Sequence, residues 1–347
     1  RQAGNWYPNR EIYPEGLKPL GDALREMGLG FTLWVEPERV YPDTQLACEH
    51  PEWLLSVPGD ASYLFNLGNP EARRFLTDRI SALIAEAGVT CYRQDFNMEP
   101  AGAWQAADAP DRVGMSEIRH IEGLYAFWDE LLARHPGLII DNCASGGRRI
   151  DLETISRSVP LWRSDVQCSL DFNPIAMQTQ TQGLAPWVPL SAGCCRSPDR
   201  YSFRSALGPG MVVIWTTRAL EERVDFPERL PLARELLAEL LRVRPYFYGD
   251  FYPLVPFSLS AKAWTAWQLH RPDMGEGLVL ALRRPQSEQT RLESPLHGLD
   301  PSARYELQNA DTGEVTVASG SELLEKGVCI DIAERPGSAL VLYRQVG

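Results

Sequence analysis

The sequence is best approached through what it lacks. No apolar run approaches the roughly 18 residues that a bilayer-crossing helix needs. Positive charge is in deficit, with 34 Lys and Arg against 46 Asp and Glu and a net charge of −12. That balance disfavours nucleic acid and anionic membrane surfaces as partners, because both reward clustered cations. Metal-binding spacings are missing as well. The seven cysteines (Cys48, Cys91, Cys143, Cys168, Cys194, Cys195 and Cys329) form no C-x-x-C pair, and the five histidines show no H-x-x-x-H spacing. An odd, scattered set of this kind suits reduced thiols, so the expectation is a cytoplasmic protein without disulfides. There is no initiating Met, no signal peptide, no low-complexity tract and no internal repeat. The chain reads as beginning inside a longer protein.

What is present is ordinary globular composition, 44% hydrophobic and 23% charged, over a length of 347 residues. Such a chain is no disordered polymer, and it is long enough for one large barrel or two to three smaller domains. Ten Trp and 12 Tyr suit a protein that stacks flat ligand faces, although large cores use the same rings. From residue 15 to about 245, apolar runs alternate with amphipathic stretches. Runs at 29–36, 89–96 and 138–143 read as buried strands, and further strand candidates lie at 159–165, 187–191 and 211–216. Helical periodicity fills 16–27, 70–87, 116–134 and 231–242, with Pro70 in a first turn and Gly88 as a stop. Strands separated by helices imply parallel βαβ units. Six such strands fall short of the eight of a closed (β/α)8 barrel, and the missing two are expected before residue 1. Residues 255–347 change to short apolar runs between turn signals, the pattern of an all-β sandwich. The expected layout is therefore α/β: a (β/α)8 TIM barrel over 1–250, then a C-terminal β-sandwich over 255–347.

In a parallel barrel the reactive residues stand at the C-terminal ends of strands. Here those ends are polar: Trp34-Val35-Glu36-Pro37-Glu38, Arg93-Gln94-Asp95-Phe96-Asn97, the stretch from Asp141 through Cys143 and Gly146 to Arg148, and Trp162-Arg163-Ser164-Asp165. Period-2 alternation puts Arg93, Asp95 and Asn97 on one face, so Arg93 is expected to hold the Asp95 carboxylate ionised. Arg163 shares the face of Asp165. Two carboxylates converging on one pocket are the equipment of a glycosidase, although each aspartate could equally cap a loop or sit in an ion pair. Gly146-Gly147 lacks the Lys and spacing of a phosphate loop.

Taken together, the four strand ends resemble the catalytic domain of glycoside hydrolase family 36, the α-galactosidase (melibiase) family. The likeness runs from about residue 5 to 216. Trp34 followed by Glu36-Pro37-Glu38 resembles the family's Trp and E-P-E motif. Residues 93–97 resemble its K-W-D-x-N motif, which implies Asp95 as nucleophile. Residues 143–151 resemble its glycine-rich sugar-binding motif, and Trp162-Arg163-Ser164-Asp165 resembles W-x-S-D, which implies Asp165 as acid/base. The resemblance implies a retaining α-glycosidase needing no cofactor and no metal. Its carbohydrate would be lined by Trp34, Glu36, Glu38, Arg93, Asn97, Cys143, Gly146, Arg148 and Arg163. It also implies a complementary N-terminal segment of the same protein, whose strands would carry acidic sugar ligands.

The departures bear on specificity. The family's Lys and Trp beside the nucleophile are Arg93 and Gln94 here, its usual Thr is Arg163, and residues 191–195 lack an expected His. An Arg is no neutral swap for Lys at a hydrogen-bonding site. These changes favour a sugar with an altered substituent (an amine, an acetamido group or a carboxylate met by Arg93 or Arg163). An α-galactosaminidase, an α-N-acetylgalactosaminidase, a transglycosylase and a non-catalytic carbohydrate-binding barrel all stay open at this point. So does a homo-oligomer.

Overall fold

The computed structural model describes residues 3–169, 172–188, 190–215 and 226–346. The chain separates into two compact units, Arg1–Pro160 and Leu161–Gly347.

The first unit holds strands β1 (Thr32–Val35), β2 (Arg39–Val40), β3 (Leu54–Leu55), β4 (Tyr63–Phe65), β5 (Cys91–Gln94) and β6 (Ile139–Asn142). β1, β5 and β6 form a parallel sheet in that order, with Trp34 in register with Arg93 and Arg93 with Asp141. The strands are shorter than the apolar runs that announced them, while the crossover helices agree closely. Helix Pro70–Ala87 links β1 to β5: Asn69 caps the N–H groups of Glu71 and Ala72, Pro70 opens the first turn, and Gly88 ends it at φ +65°. Its Leu76, Ile80, Leu83 and Ile84 face the sheet core. Helix Met115–Arg134 links β5 to β6 and buries Leu124, Phe127, Trp128 and Leu131 in the same core. β2, β4 and β3 make a small antiparallel ribbon between β1 and the first crossover helix.

Residues 159–165, expected as a strand, do not form one. Val159 makes a single bridge to Asp141, and the ladder stops at Pro160, which has no N–H to donate. In the second unit Asp165–Cys168 is a 3-10 turn. The strand expected at 187–191 is also displaced. The N–H groups of Trp187 and Val188 close back on the Leu184 carbonyl, and the strand is β7 (Gly193–Cys195), parallel to β8 (Met211–Val213). Pro189 and Thr216, part of those two expected runs, lie outside the described residues.

After helix Phe226–Val243 come β9 (Asp250–Pro253), β10 (Trp264–Arg271), β11 (Glu276–Arg283), β12 (Arg291–Ser294), β13 (Arg304–Asn309), β14 (Val315–Ser319), β15 (Val328–Asp331) and β16 (Gly337–Val346). Six of them pair antiparallel in the order β14-β13-β16-β11-β10-β9, and β12 pairs with β15. Val279, Ala281, Ala339 and Val341 of the large sheet share one core with Val328 and Ile330 of the small one, which makes an unequal sandwich. Arg204, fully buried on helix Arg200–Ala206, pairs with both Glu239 and Asp311 and so ties the last helices to the β module.

Close approach sets the position of the second crossover helix. A Cβ at Gly123 would lie 2.1 Å from the Leu67 carbonyl oxygen, a backbone atom that cannot swing aside. Gly123→Ala should therefore destabilise the protein by about 1–3 kcal/mol despite alanine's better helix propensity, measured as a lowered midpoint in urea.

Candidate active site

Asp95 follows β5 directly, and its N–H continues the ladder by donating to the Val35 carbonyl at 3.0 Å. The residue is only 9% exposed, and its carboxylate oxygens accept from several donors. Oδ1 accepts the N–H groups of Phe96 at 2.8 Å and Ser145 at 3.3 Å, and Oδ2 accepts the indole N–H of Trp34 at 3.2 Å. Burial works to raise the Asp95 pKa. Hydrogen bonds from the Asn97 side chain, the Phe96 N–H, the Cys143 thiol and Trp34 outweigh it and hold the group below the ordinary carboxylate value. Asn97 is oriented for this task because its Oδ1 takes the Ser145 hydroxyl proton at 3.0 Å, which leaves its amide N–H groups free to donate. Ser145 and Gly146 sit at φ +48° and +85°, and this left-handed pair turns the loop N–H towards Asp95. Burial, and then the charge of Asp95, push the Cys143 thiol up to about 12, so it remains an S–H donor.

The structure revises the role expected of Arg93. Its guanidinium pairs with Asp141 on the neighbouring strand, Nη1 to Oδ2 at 2.5 Å, and neutral donors lead the stabilisation of Asp95. Gln94 points to the opposite face and is fully buried. It accepts from Trp128 Nε1 at 2.8 Å and donates to Glu38 Oε1 at 2.8 Å.

Glu36 and Glu38, expected as sugar ligands, are both engaged by protein. Glu36 accepts the Asn97 N–H at 2.7 Å and an ion pair from Arg39. Glu38 is 1% exposed and is surrounded by Gln94, by Arg149 at 2.7 Å and by His120 at 2.9 Å. Burial opposes its charge, but Arg149 and then His120 overcome it and lower its pKa to about 2. Arg148 reaches over the loop to the carbonyls of Ala144 and Phe96 and pairs with exposed Glu99. Trp34 keeps half of its surface exposed beside Asp95. The structure thus gathers Trp34, Asn97 and Cys143 around the Asp95 carboxylate, with Gly146 in the adjoining loop. Glu38 stands apart as a buried hub. Sequence reasoning gave no role to Ser145, Asp141, His120 or Arg149. The one available signal was Asp141, a charge inside the apolar run 138–143.

Within the second unit, Asp165 is exposed at the start of its 3-10 turn and accepts the Trp162 indole N–H at 3.0 Å. Arg163 is turned inward, 4% exposed, and donates to the Met177 carbonyl at 3.0 Å and the Thr181 hydroxyl at 2.7 Å. It meets no carboxylate among the described residues, and burial draws its pKa down. Its expected contact with a substrate substituent gives way to a structural role. Among the described residues no group of His, Cys, Asp and Glu could hold a metal ion, and the cysteines are free thiols.

A family model for melibiase matches residues 1–208. The chain belongs to the melibiase family. A second model, the glycosyl hydrolase family 36 C-terminal domain, matches residues 264–342. Among curated proteins, α-galactosidase AgaA of Geobacillus stearothermophilus is 26% identical over 347 residues, covering 95% of this chain and 46% of that enzyme. The α-galactosidase of Escherichia coli is 35% identical over 178 residues, 48% of this chain and 24% of that protein. A crystal structure of an AgaA variant in complex with stachyose superposes with a TM-score of 0.79 at 23% identity, over 100% of this chain and 49% of that one. The α-galactosidase from Lactobacillus brevis gives 0.78 at 22% identity, over 99% of this chain and 48% of that one. The fold is therefore the expected one, a TIM-barrel portion followed by a C-terminal β domain. The chain spans about half the length of the curated relatives it matches.

The Glu38 hub makes a pH-dependent prediction. Its folded pKa of about 2 lies below the ordinary 4.5, so its contribution to stability is fully present above pH 4.5 and is lost as pH falls towards 2. Glu38→Gln strands Arg149 without its carboxylate and should cost about 3–5 kcal/mol at neutral pH. The variant should also show a flatter loss of stability on acidification, read from urea unfolding at a series of pH values.

Proposed function

We propose that this chain supplies the catalytic part of a retaining α-galactosidase acting on terminal α-linked galactose or a galactose-like sugar. The observation that supports this most directly is the environment of Asp95. A nearly buried carboxylate kept ionised by neutral donors, beside a half-exposed Trp34, is suited to nucleophilic attack on an anomeric carbon. Asp95 would attack that carbon while Asp165 protonates the departing oxygen, and Asp165 would then take a proton from the water that releases the sugar. Atoms balance: one glycosidic bond is exchanged for an ester to Asp95, and the ester is hydrolysed. Carbohydrate is the proposed substrate, and the names of the relatives supply galactose as its class. The altered-substituent reading has lost ground, because Arg163 is buried in the protein and Arg93 is already paired with Asp141.

We also propose that the site is completed by a complementary N-terminal segment. β1 is the edge of the described parallel sheet, with Thr32 and Trp34 exposed, and beside it lies a largely apolar groove of about 730 Å³ lined by Trp6, Leu17, Leu20, Phe31 and Leu33. An open parallel edge next to an apolar groove favours a further strand as its cover.

Asp95→Ala in the full-length enzyme should abolish hydrolysis of aryl α-galactosides, and azide should partly restore turnover with the opposite anomer as product. Activity surviving in Asp95→Ala would remove the nucleophile assignment. Residues 1–347 expressed alone should aggregate or melt without cooperativity and should be inactive. A monodisperse, active monomer with a sharp transition would overturn the need for the segment.

A further inference from the structure

Two carboxylates compete for Arg93. Asp95 lies two positions along the same strand and face, about 6–7 Å away by strand geometry. Asp141 is the register partner of Arg93 across the parallel ladder, where neighbouring strands lie about 4.8 Å apart. The guanidinium reaches either. The structure resolves the competition in favour of Asp141, which is 3% exposed and holds Arg93 Nη1 at 2.5 Å. Asp95 takes part in no ion pair among the described residues, and its hydrogen-bond donors are neutral: the N–H groups of Trp34, Phe96 and Ser145, the Asn97 side chain and the Cys143 thiol. A cation docked on Asp95 would occupy the lone pairs that must reach the anomeric carbon and would weaken the carboxylate as a nucleophile.

We propose that Asp141 is a positioning residue: it pins Arg93 sideways across the sheet and so leaves the Asp95 carboxylate charged, hydrogen-bonded only by neutral groups, and available for attack. The mechanistic value of this rests on the reading of Asp95 as nucleophile, but the electrostatic arrangement does not. Asp95 is faced by Arg93 on its own strand, by Asp141 and Cys143 from β6, and by Trp34 from the β1 side, where Glu36 acts through Asn97. Among these groups, Asp141 is the carboxylate that the structure places in an ion pair with the Arg93 guanidinium, and its removal takes that ion pair away.

The test is the titration of Asp95, followed by carbon-13 NMR of labelled aspartate in the full-length enzyme and assigned by loss of the signal in Asp95→Asn. Asp141→Asn should lower the Asp95 midpoint by about one pKa unit as Arg93 swings onto it. It should also cut kcat/KM on an aryl α-galactoside about tenfold, with the acid limb of the pH–rate profile moving the same way. Asp141→Glu should restore both. Exchange of the pair together, Arg93→Gln with Asp141→Asn, should keep the Asp95 midpoint within about half a unit of wild type, because a neutral pair replaces a neutral pair. An Asp95 midpoint unmoved or raised in Asp141→Asn would overturn the proposal. If that single variant fails to fold, the double variant decides: a rise of about one unit or more would show that Arg93 serves Asp95 directly. Wild-type enzyme inactive on every α-galactoside, with the titrations as expected, would refute the functional reading and leave the pinning in place.

Discussion

The organising constraint of the first unit is that a carboxylate almost removed from water must remain charged. Burial by itself favours the neutral acid, and several hydrogen bonds from fixed donors are needed to reverse that preference. Asp95 receives them from three directions: Trp34 on β1, the backbone of its own strand end at Phe96, and the Ser145 loop that follows β6. Each donor is in place only if the three strands keep their register and the loop keeps its left-handed turn. The sheet, its two crossover helices and the close helix packing at Gly123 are thus all conditions for one ionised oxygen pair.

Beneath this site lies a second buried carboxylate with a different solution. Glu38 is neutralised by Arg149 and hydrogen-bonded to His120 and Gln94. It joins the end of β1, strand β5, the loop after β6 and helix Met115–Arg134 through a single group. Replacing the family's Trp with Gln94 fits this arrangement, because an amide donates to Glu38 and accepts from Trp128 at the same time. The contrast between the two acids follows from their surroundings. Glu38 is held by a cation and links several segments, whereas Asp95 is held charged by neutral donors.

The second unit shows how charge is managed where no carboxylate is at hand. Arg163 donates its terminal N–H groups to the Met177 carbonyl and to the hydroxyls of Thr181 and Ser191. Arg204 instead gathers Glu239 and Asp311. Both are fixed within the fold, so neither long cation is free to sample solvent.

Much of this was readable in the order of residues. The helices Pro70–Ala87 and Met115–Arg134 announced themselves through apolar periodicity and their end signals, because those cues act within a few residues of one another. The polar strand ends were equally visible, since a run of charges after an apolar strand is a local pattern. Asp95 and Asp165 could be named from the resemblance their motifs carry. Local pattern failed where partners come from elsewhere in the chain. The strand expected over 159–165 stopped at Pro160 because a ladder needs a donor as well as an apolar run. A shared face two residues apart points Arg93 to Asp95, whereas the ion pair that the structure shows is with Asp141, 48 residues away in sequence. Glu38 and Arg149, 111 residues apart, could not be matched by spacing at all. The sequence by itself determined the βαβ order, the all-β C-terminal region and the candidate carboxylates, because helix periodicity, turn chemistry and motif order are properties of neighbouring residues. Only the tertiary structure decided which cation meets which carboxylate. Strand register brings distant side chains within about 5 Å, and electrostatic pairing depends on that separation in space rather than along the chain.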